Sequence, residues 1–178
     1  MDWLEIKEFL KDTAKYIIFI FVVLFIAVYV VGLQQVVGDS MAPTFNNGNI
    51  LILDKLSYRF KDIQRGDIVA LFYDDTKYLI KRVIGLPGER VDFRGSDLYI
   101  NNRLVTEDYL DENVVTEDFS LTTLGYHVIP ENMYFVVGDN RGDSLDSRDA
   151  EVGLIPKEDM IGKVRIRLWP INKIGFIK

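Results

Sequence analysis

Between Tyr16 and Gly38 the chain carries no charged side chain, and the run YIIFIFVVLFIAVYVVGL that opens this stretch is almost wholly aliphatic or aromatic. An α-helix of about 20 such residues crosses the roughly 30 Å hydrocarbon core of a bilayer. Tyr16 and Tyr29 stand near the ends of the run, where amphipathic rings favour the membrane–water interface. A cleavable leader has a shorter apolar region that ends at small residues, whereas Val30, Val31 and Leu33 occupy that end here. Residues 16–35 therefore read as an uncleaved transmembrane anchor.

Basic residues set its direction. Lys7, Lys11 and Lys15 precede the run, and none follows it before Asp54. Positive charge is retained on the cytoplasmic side, and acidic neighbours such as Asp2, Glu5, Glu8 and Asp12 count little in that rule. Residues 1–15 are expected to form a cytoplasmic tail, and residues 36–178 an extracytoplasmic domain, in a single-pass protein of the cell membrane.

The remaining length suits one compact domain. A hydrophobic content of 48% and a charged content of 27% are those of an ordinary globular chain and exclude a disordered or collagen-like one. The net charge of -6, with no basic stripe, argues against nucleic acid as a partner. The absence of cysteine removes disulfides, thiolate nucleophiles and cysteine-ligated metals. With His127 the sole histidine, multi-histidine metal centres go too, so hydrolysis without metal or other cofactor is expected.

Beyond the anchor, short runs rich in Val, Ile, Phe and Tyr alternate with Gly, Pro, Asn and Asp. Residues 49–53, 67–73, 78–84, 98–100, 133–137 and 163–168 read as strands, and 156–160 as one short helical turn. The expected fold is mostly β behind a single N-terminal transmembrane helix. The acidic stretch Thr106–Asp118 (TEDYLDENVVTED) reads as a solvated loop without chemistry. The apolar residues 168–171 and 174–177, with Lys173 and Lys178, fit either ordinary strand packing or a lipid contact and are assigned no role.

Three segments can carry chemistry. In Gly38–Thr44 (GDSMAPT), glycine and proline bracket Ser40 in a tight-turn sequence, which can expose a hydroxyl and gather backbone N–H groups as an oxyanion hole does. Taken alone, such a segment is ordinarily a turn or cap. Its activating base would be His127, alone in a strand-like run, or a lysine whose burial lowers its pKa. Along residues 78–84, strand alternation puts Lys81 on one face with Leu79 and Val83, and Arg82 on the other with Ile80 and Ile84. Desolvation there would favour a neutral amine, although an edge-strand lysine that blocks aggregation fits the pattern equally. Gly138–Arg148 (GDNRGDSLDSR) is dense in turn formers, lacks the closing glutamate of a calcium loop, and reads as a self-paired polar loop supporting another site.

Together with Arg65–Val69 (RGDIV) and Lys81–Glu89 (KRVIGLPGE), these segments resemble, in order and spacing and behind a membrane anchor, the type I signal peptidases, the bacterial Ser-Lys membrane proteases. The resemblance runs from the anchor through nearly the whole outer domain. It implies a β domain of the signal peptidase type and a membrane-bound serine endopeptidase that cleaves signal peptides from exported preproteins through an acyl-enzyme. Ser40 would be the nucleophile and Lys81 the general base. Ser144 would orient Lys81, while Asp139, Asp146 and Arg148 brace the site, and the Ser40 backbone N–H would form part of the oxyanion hole.

The chain departs from the Gram-negative members at Gly38, where they carry a serine whose hydroxyl helps bind the oxyanion. It also lacks their large inserted subdomain and extra membrane segment, so it resembles the compact Gram-positive form. Lysine at position 81 separates it from the endoplasmic-reticulum relatives, which carry histidine there. Ser40 lies seven residues past Leu33, so chain reach keeps it within roughly 25 Å of the membrane. The resemblance further implies that an extended preprotein segment binds by strand addition, with shallow pockets for small residues at the first and third positions before the cut. The alternatives are a client-restricted or non-catalytic relative that assists assembly of pili or surface proteins, and a self-cleaving repressor, which would carry a helix-turn-helix region in place of the anchor.

Overall fold

A computed structural model describes residues 2–74, 77–111 and 113–177; Met1, Lys178 and, within the acidic stretch, Glu112 lie outside them. Helix α1 spans Trp3–Phe25 and opens with the Asp2 N–H donating to the Glu5 carboxylate at 2.9 Å. It runs on through a π-helical turn, Ile26–Val30, giving 28 helical residues, long and apolar enough to cross a membrane. None of its residues is buried against the protein, so the apolar surface it presents is one that lipid rather than water would cover.

The apolar sequence outlasts the helix. Val31–Gln35 form strand β1, which begins at the residue after the π turn and pairs antiparallel with β2 (Ile50–Asp54). The change from helix to strand within a run that reads as one anchor arises because β2 offers a ladder partner there. The same partner satisfies carbonyls at the helix end: the Lys55 N–H donates to the Val30 carbonyl at 2.9 Å and Lys55 Nζ to the Val28 carbonyl at 3.2 Å.

After the short helix α2 (Ser57–Phe60), the chain forms β3 (Ile68–Asp74), β4 (Lys77–Gly85), β5 (Val91–Arg94), β6 (Asp97–Ile100), β7 (Arg103–Val105), β8 (Phe119–Ser120), β9 (Met133–Val137), β10 (Ile155–Pro156), β11 (Met160–Trp169) and β12 (Gly175–Phe176). A large antiparallel sheet runs β1-β2-β11-β3-β4-β9-β10, with β12 on β11, and a smaller one runs β7-β6-β5-β8. The mostly-β expectation is thus met. A 3₁₀ turn at Lys157–Asp159 occupies the segment read as one helical turn.

Alternating residues of β3 serve both faces of the large sheet. Ile68 and Ala70 pack with Val36, Met41, Phe45 and Leu51, while Val69 and Leu71 pack with Val83, Val136 and Met160. A third cluster, with Phe93, Leu121 and Phe135, joins the small sheet to β9. With both faces covered, β4 is a central strand, and its Lys81 and Arg82 are buried with it. At the chain's end β12 pairs with β11, yet Trp169, Ile171, Ile174 and Phe176 are exposed, Phe176 by 83%, and Ile177 packs partly against the core.

Candidate active site

The turn that presents Ser40 is fixed from both sides. Upstream, Val36 is buried, its N–H donates to the Asn49 carbonyl at 2.8 Å, and its carbonyl accepts from Gly48. Gly38 has φ +83°, a left-handed conformation that glycine adopts without strain. Its N–H donates to Asn47 Oδ1 at 3.2 Å, and the Asn47 N–H to Asp39 Oδ1 at 3.2 Å. Downstream, Met41 and Phe45 are sunk in the core, and the Ala42 N–H closes the turn on the Asp39 carbonyl at 2.9 Å. Ser40 is left half-buried between an exposed Asp39 and a buried Met41. Among the described residues its N–H has no acceptor, so it remains available to a ligand oxygen.

Ser40 sits in a cleft of about 500 Å³ whose walls are Gln34–Val37, leading out of β1, and Tyr78–Ile80 of β4. The next residue of β4 is Lys81, of which 1% is exposed. Burial pulls its amine down from the ordinary lysine range to about 8; Asp146 works against this, and Arg148 assists it. Its Nζ donates to the Ser144 hydroxyl at 3.0 Å.

Sheet register brings these groups together. Arg82 pairs with Val137 and Val83 with Val136 across β4 and β9, which sets Gly138 beside Lys81 and Asp139 just beyond. Gly138 lies against both the Ser144 side chain and the Ser40 carbonyl, where a Cβ would clash with each. The Ser40 carbonyl also accepts from the Asn140 N–H at 3.0 Å, and Asn140 Nδ2 donates to the Asp39 carbonyl at 3.1 Å. The loop after β9 is therefore bonded to the Ser40 turn and reaches Lys81 through Ser144.

The carboxylates of this loop are occupied. Asp146 is fully buried, accepts Arg148 Nε at 2.8 Å and Nη2 at 2.9 Å, and also accepts the Gly138 N–H at 3.0 Å. Burial pushes its carboxyl up, but Arg148, the Gly138 N–H and Ser144 outweigh that and hold it below the ordinary value. Asp139 is also fully buried and is gripped by Arg82 through Nε at 2.8 Å and Nη2 at 2.7 Å; the Thr44 hydroxyl donates to its Oδ2 at 2.5 Å. Each arginine–carboxylate pair is bidentate, the geometry that offsets desolvation best.

Ser40, Lys81, Ser144, Asp139, Asp146 and Arg148 thus lie on one connected framework, and the structure adds members that the sequence did not mark. Arg82, Thr44 and Arg141 are three. The others come from the stretch read as a solvated loop: Glu107 forms a two-pronged ion pair with the buried Arg141, and Tyr109 lies under the Arg82 guanidinium at 3.8 Å. That reading is corrected for these two residues, because burial of Arg141 demands an anion that a nearby carboxylate supplies. The remaining candidate base, His127, is exposed, is not among the residues lining the cleft, and has no hydrogen-bond partner among the described residues.

Comparison with known proteins finds relatives of this chain. The family model described as signal peptidase, peptidase S26, matches residues 7–169. Signal peptidase I V of Bacillus subtilis (strain 168) is 45% identical over 138 residues, which cover 73% of this chain and 81% of that one. Signal peptidase IB of Staphylococcus aureus (strain MRSA252) is 32% identical over 93% of this chain and 94% of its own. Among solved structures, a signal peptidase I from Enterococcus faecalis V583 superposes with a TM-score of 0.52 at 40% identity, covering 58% of this chain and 97% of that one.

Proposed function

The chain belongs to the signal peptidase family, peptidase S26, and we propose that it cleaves signal peptides from exported preproteins by Ser-Lys acyl-enzyme chemistry at the outer face of the membrane. As a member it is a membrane-anchored serine endopeptidase. The observation that carries the mechanism is the buried Lys81, with its amine pulled down to about 8, one residue along β4 from the cleft that holds Ser40.

In this reading the neutral Lys81 amine takes the Ser40 hydroxyl proton as Oγ attacks the scissile carbonyl. The Ser40 N–H receives the developing oxyanion. Collapse breaks the peptide C–N bond, and the lysine returns the proton to the departing amine of the mature chain. The freed amine then deprotonates a water, which hydrolyses the ester and restores Ser40. Ser144 holds the amine in place; Asp139 and Asp146, each neutralised by an arginine, fix the loop that carries Ser144. Gly38 supplies no side-chain donor, so the second oxyanion contact falls to backbone or water.

An extended preprotein segment fits the cleft as an added strand between Gln34–Val37 and Tyr78–Ile80, with small residues facing its shallow walls. Lys7, Lys11 and Lys15 hold the tail, residues 1–15, on the cytoplasmic side. The helical part of the anchor, up to Val30, joins the domain that begins at β1 to the outer leaflet.

Purified enzyme in detergent, given a preprotein with an Ala-X-Ala site, should release one product cut after the final alanine, read by mass spectrometry. Ser40→Ala and Lys81→Ala should release none. A wild type that cuts nothing would favour a client-restricted or assembly role, and a Lys81→Ala enzyme cutting at full rate would overturn the Ser-Lys mechanism.

A further inference from the structure

Where the β domain meets the anchor, a pocket of about 470 Å³ opens on the side formed by the last helical turn. Val28 and Tyr29 of the π turn form one wall. Three cations from separate elements stand in the lining, Lys55 after β2, Arg59 in α2 and Lys157 in the 3₁₀ turn before β11, with Tyr58, Glu158, Met160 and Ile161 completing it.

Among the described residues none of these three cations forms a salt bridge, whereas Arg82, Arg141, Arg148, Lys163 and Arg165 of the same domain each hold a carboxylate. Asp54 and Asp67 nearby are already engaged, the first by Ser57 and Arg165, the second by Lys163 and Tyr58. Glu158, also in the lining, is exposed and forms no salt bridge among the described residues. Three cations against this one carboxylate leave the concavity a surplus of positive charge in a chain of net charge -6, which favours an anion from outside.

The anchor fixes the depth of the pocket. The helix ends at Val30 and the folded domain begins with β1 at Val31, and the amphipathic ring of Tyr29 favours the membrane–water interface. Val28 and Tyr29 therefore sit where the chain leaves the hydrocarbon core. Lys55 Nζ is 3.2 Å from the Val28 carbonyl, so a charged group is held at that level, which is the level of lipid headgroups.

We propose that this pocket binds the phosphate of an anionic phospholipid from the leaflet that faces the β domain. The ammonium groups of Lys55 and Lys157 and the guanidinium of Arg59 would donate to its oxygens, and the acyl chains would follow the apolar surface of α1. Binding there fixes the rotation of the domain about its anchor, and with it the direction in which the Ser40 cleft faces. The proposal rests on α1 spanning the bilayer.

The full-length chain, purified in neutral detergent and mixed with equal amounts of phosphatidylglycerol and phosphatidylcholine, should retain one phosphatidylglycerol in native mass spectrometry, favoured by about tenfold. Arg59→Gln/Lys157→Gln, which keeps the Lys55 bond to the anchor, should lose that preference while cleaving a preprotein in lipid-free detergent at the wild-type rate. Arg103→Gln, on the exposed β7 hairpin, should keep it. Excess glycerol phosphate should leave the retained lipid in place. Equal retention of phosphatidylcholine, undiminished retention by the double variant, or displacement by glycerol phosphate would each overturn the site. Carbonate washing of membranes tests the anchor separately: a chain that resists the wash yet shows no preference loses only the headgroup site, while a released chain loses the spanning helix as well.

Discussion

Lys81 Nζ donates to the Ser144 hydroxyl at 3.0 Å across 63 residues of sequence, in a place where 1% of the lysine reaches solvent. An ammonium has three donors and would need an anion nearby. Burial is the main reason the amine is pulled down, and Arg148 adds to it, while Asp146 and Asp139 pull the other way. Both of those carboxylates are held by two prongs of an arginine, Arg148 and Arg82, so neither bonds the amine directly.

The resulting amine, with its pKa pulled down to about 8, sets the pH dependence of cleavage. Only the neutral form can accept the Ser40 proton, so kcat/KM should climb tenfold per unit as pH rises and level off above about 8. A profile measured on a peptide with an Ala-X-Ala site checks this. An acidic limb placed near 10.5, the ordinary lysine value, would show that burial does not lower the amine's pKa, and a limb in the carboxylate range would show that the buried amine is not the base.

Arg148 acts on the same quantity from a distance. It lowers the amine pKa through its own charge, while Asp146 raises it. Arg148→Gln removes the cation and leaves the Asp146 carboxylate unopposed, so the acidic limb should move to higher pH, with activity at neutral pH falling further than at pH 10. An unshifted limb accompanied by a uniform loss at every pH would reduce Arg148 to a structural prop.

Gly138 is required for lack of a side chain. A Cβ there would meet the Ser144 hydroxyl on one side and the Ser40 carbonyl on the other, pushing base and nucleophile apart. A displacement of about 1 Å costs on the order of a hundredfold in rate. Gly138→Ala should therefore lower kcat by about that factor in single-turnover assays, and retention of wild-type kcat would mean the two segments are less tightly coupled than their contacts imply.

The sequence made the local parts of this site readable and hid the distant ones. Alternation along 78–84 places Lys81 with Leu79 and Val83, and those two do belong to one cluster, on the face of the large sheet that Val69 and Leu71 of β3 also serve. The same alternation says nothing about Arg82 being buried as well, because that follows from β4 lying between β3 and β9 and from an aspartate 57 residues away. Glu107 and Tyr109 sit in an acidic stretch whose composition is that of a solvated loop; only the folded chain reveals the buried Arg141 and Arg82 they serve. At the anchor, hydropathy continues unbroken while hydrogen bonding changes, since Val31–Gln35 find β2 as a partner.

The Arg82–Asp139 pair supplies the sharpest test of that framework. Asp139→Asn leaves a guanidinium that is 4% exposed without its counter-charge, which costs about 3–5 kcal/mol when one partner of a buried pair is lost. Thr44→Val removes one hydrogen bond to the charged Asp139 and should cost about 1.5–3 kcal/mol. Arg82→Met/Asp139→Leu leaves no charge buried and should recover most of the stability lost by Asp139→Asn. It should not recover activity, because Thr44, in the turn that carries Ser40, loses the oxygen that holds it. Urea unfolding of the detergent-solubilised variants, paired with cleavage assays, separates the two effects. A double variant both stable and active would show that Asp139 neutralises Arg82 without positioning the nucleophile turn, and the link from Asp139 through Thr44 to Ser40 would have to be abandoned.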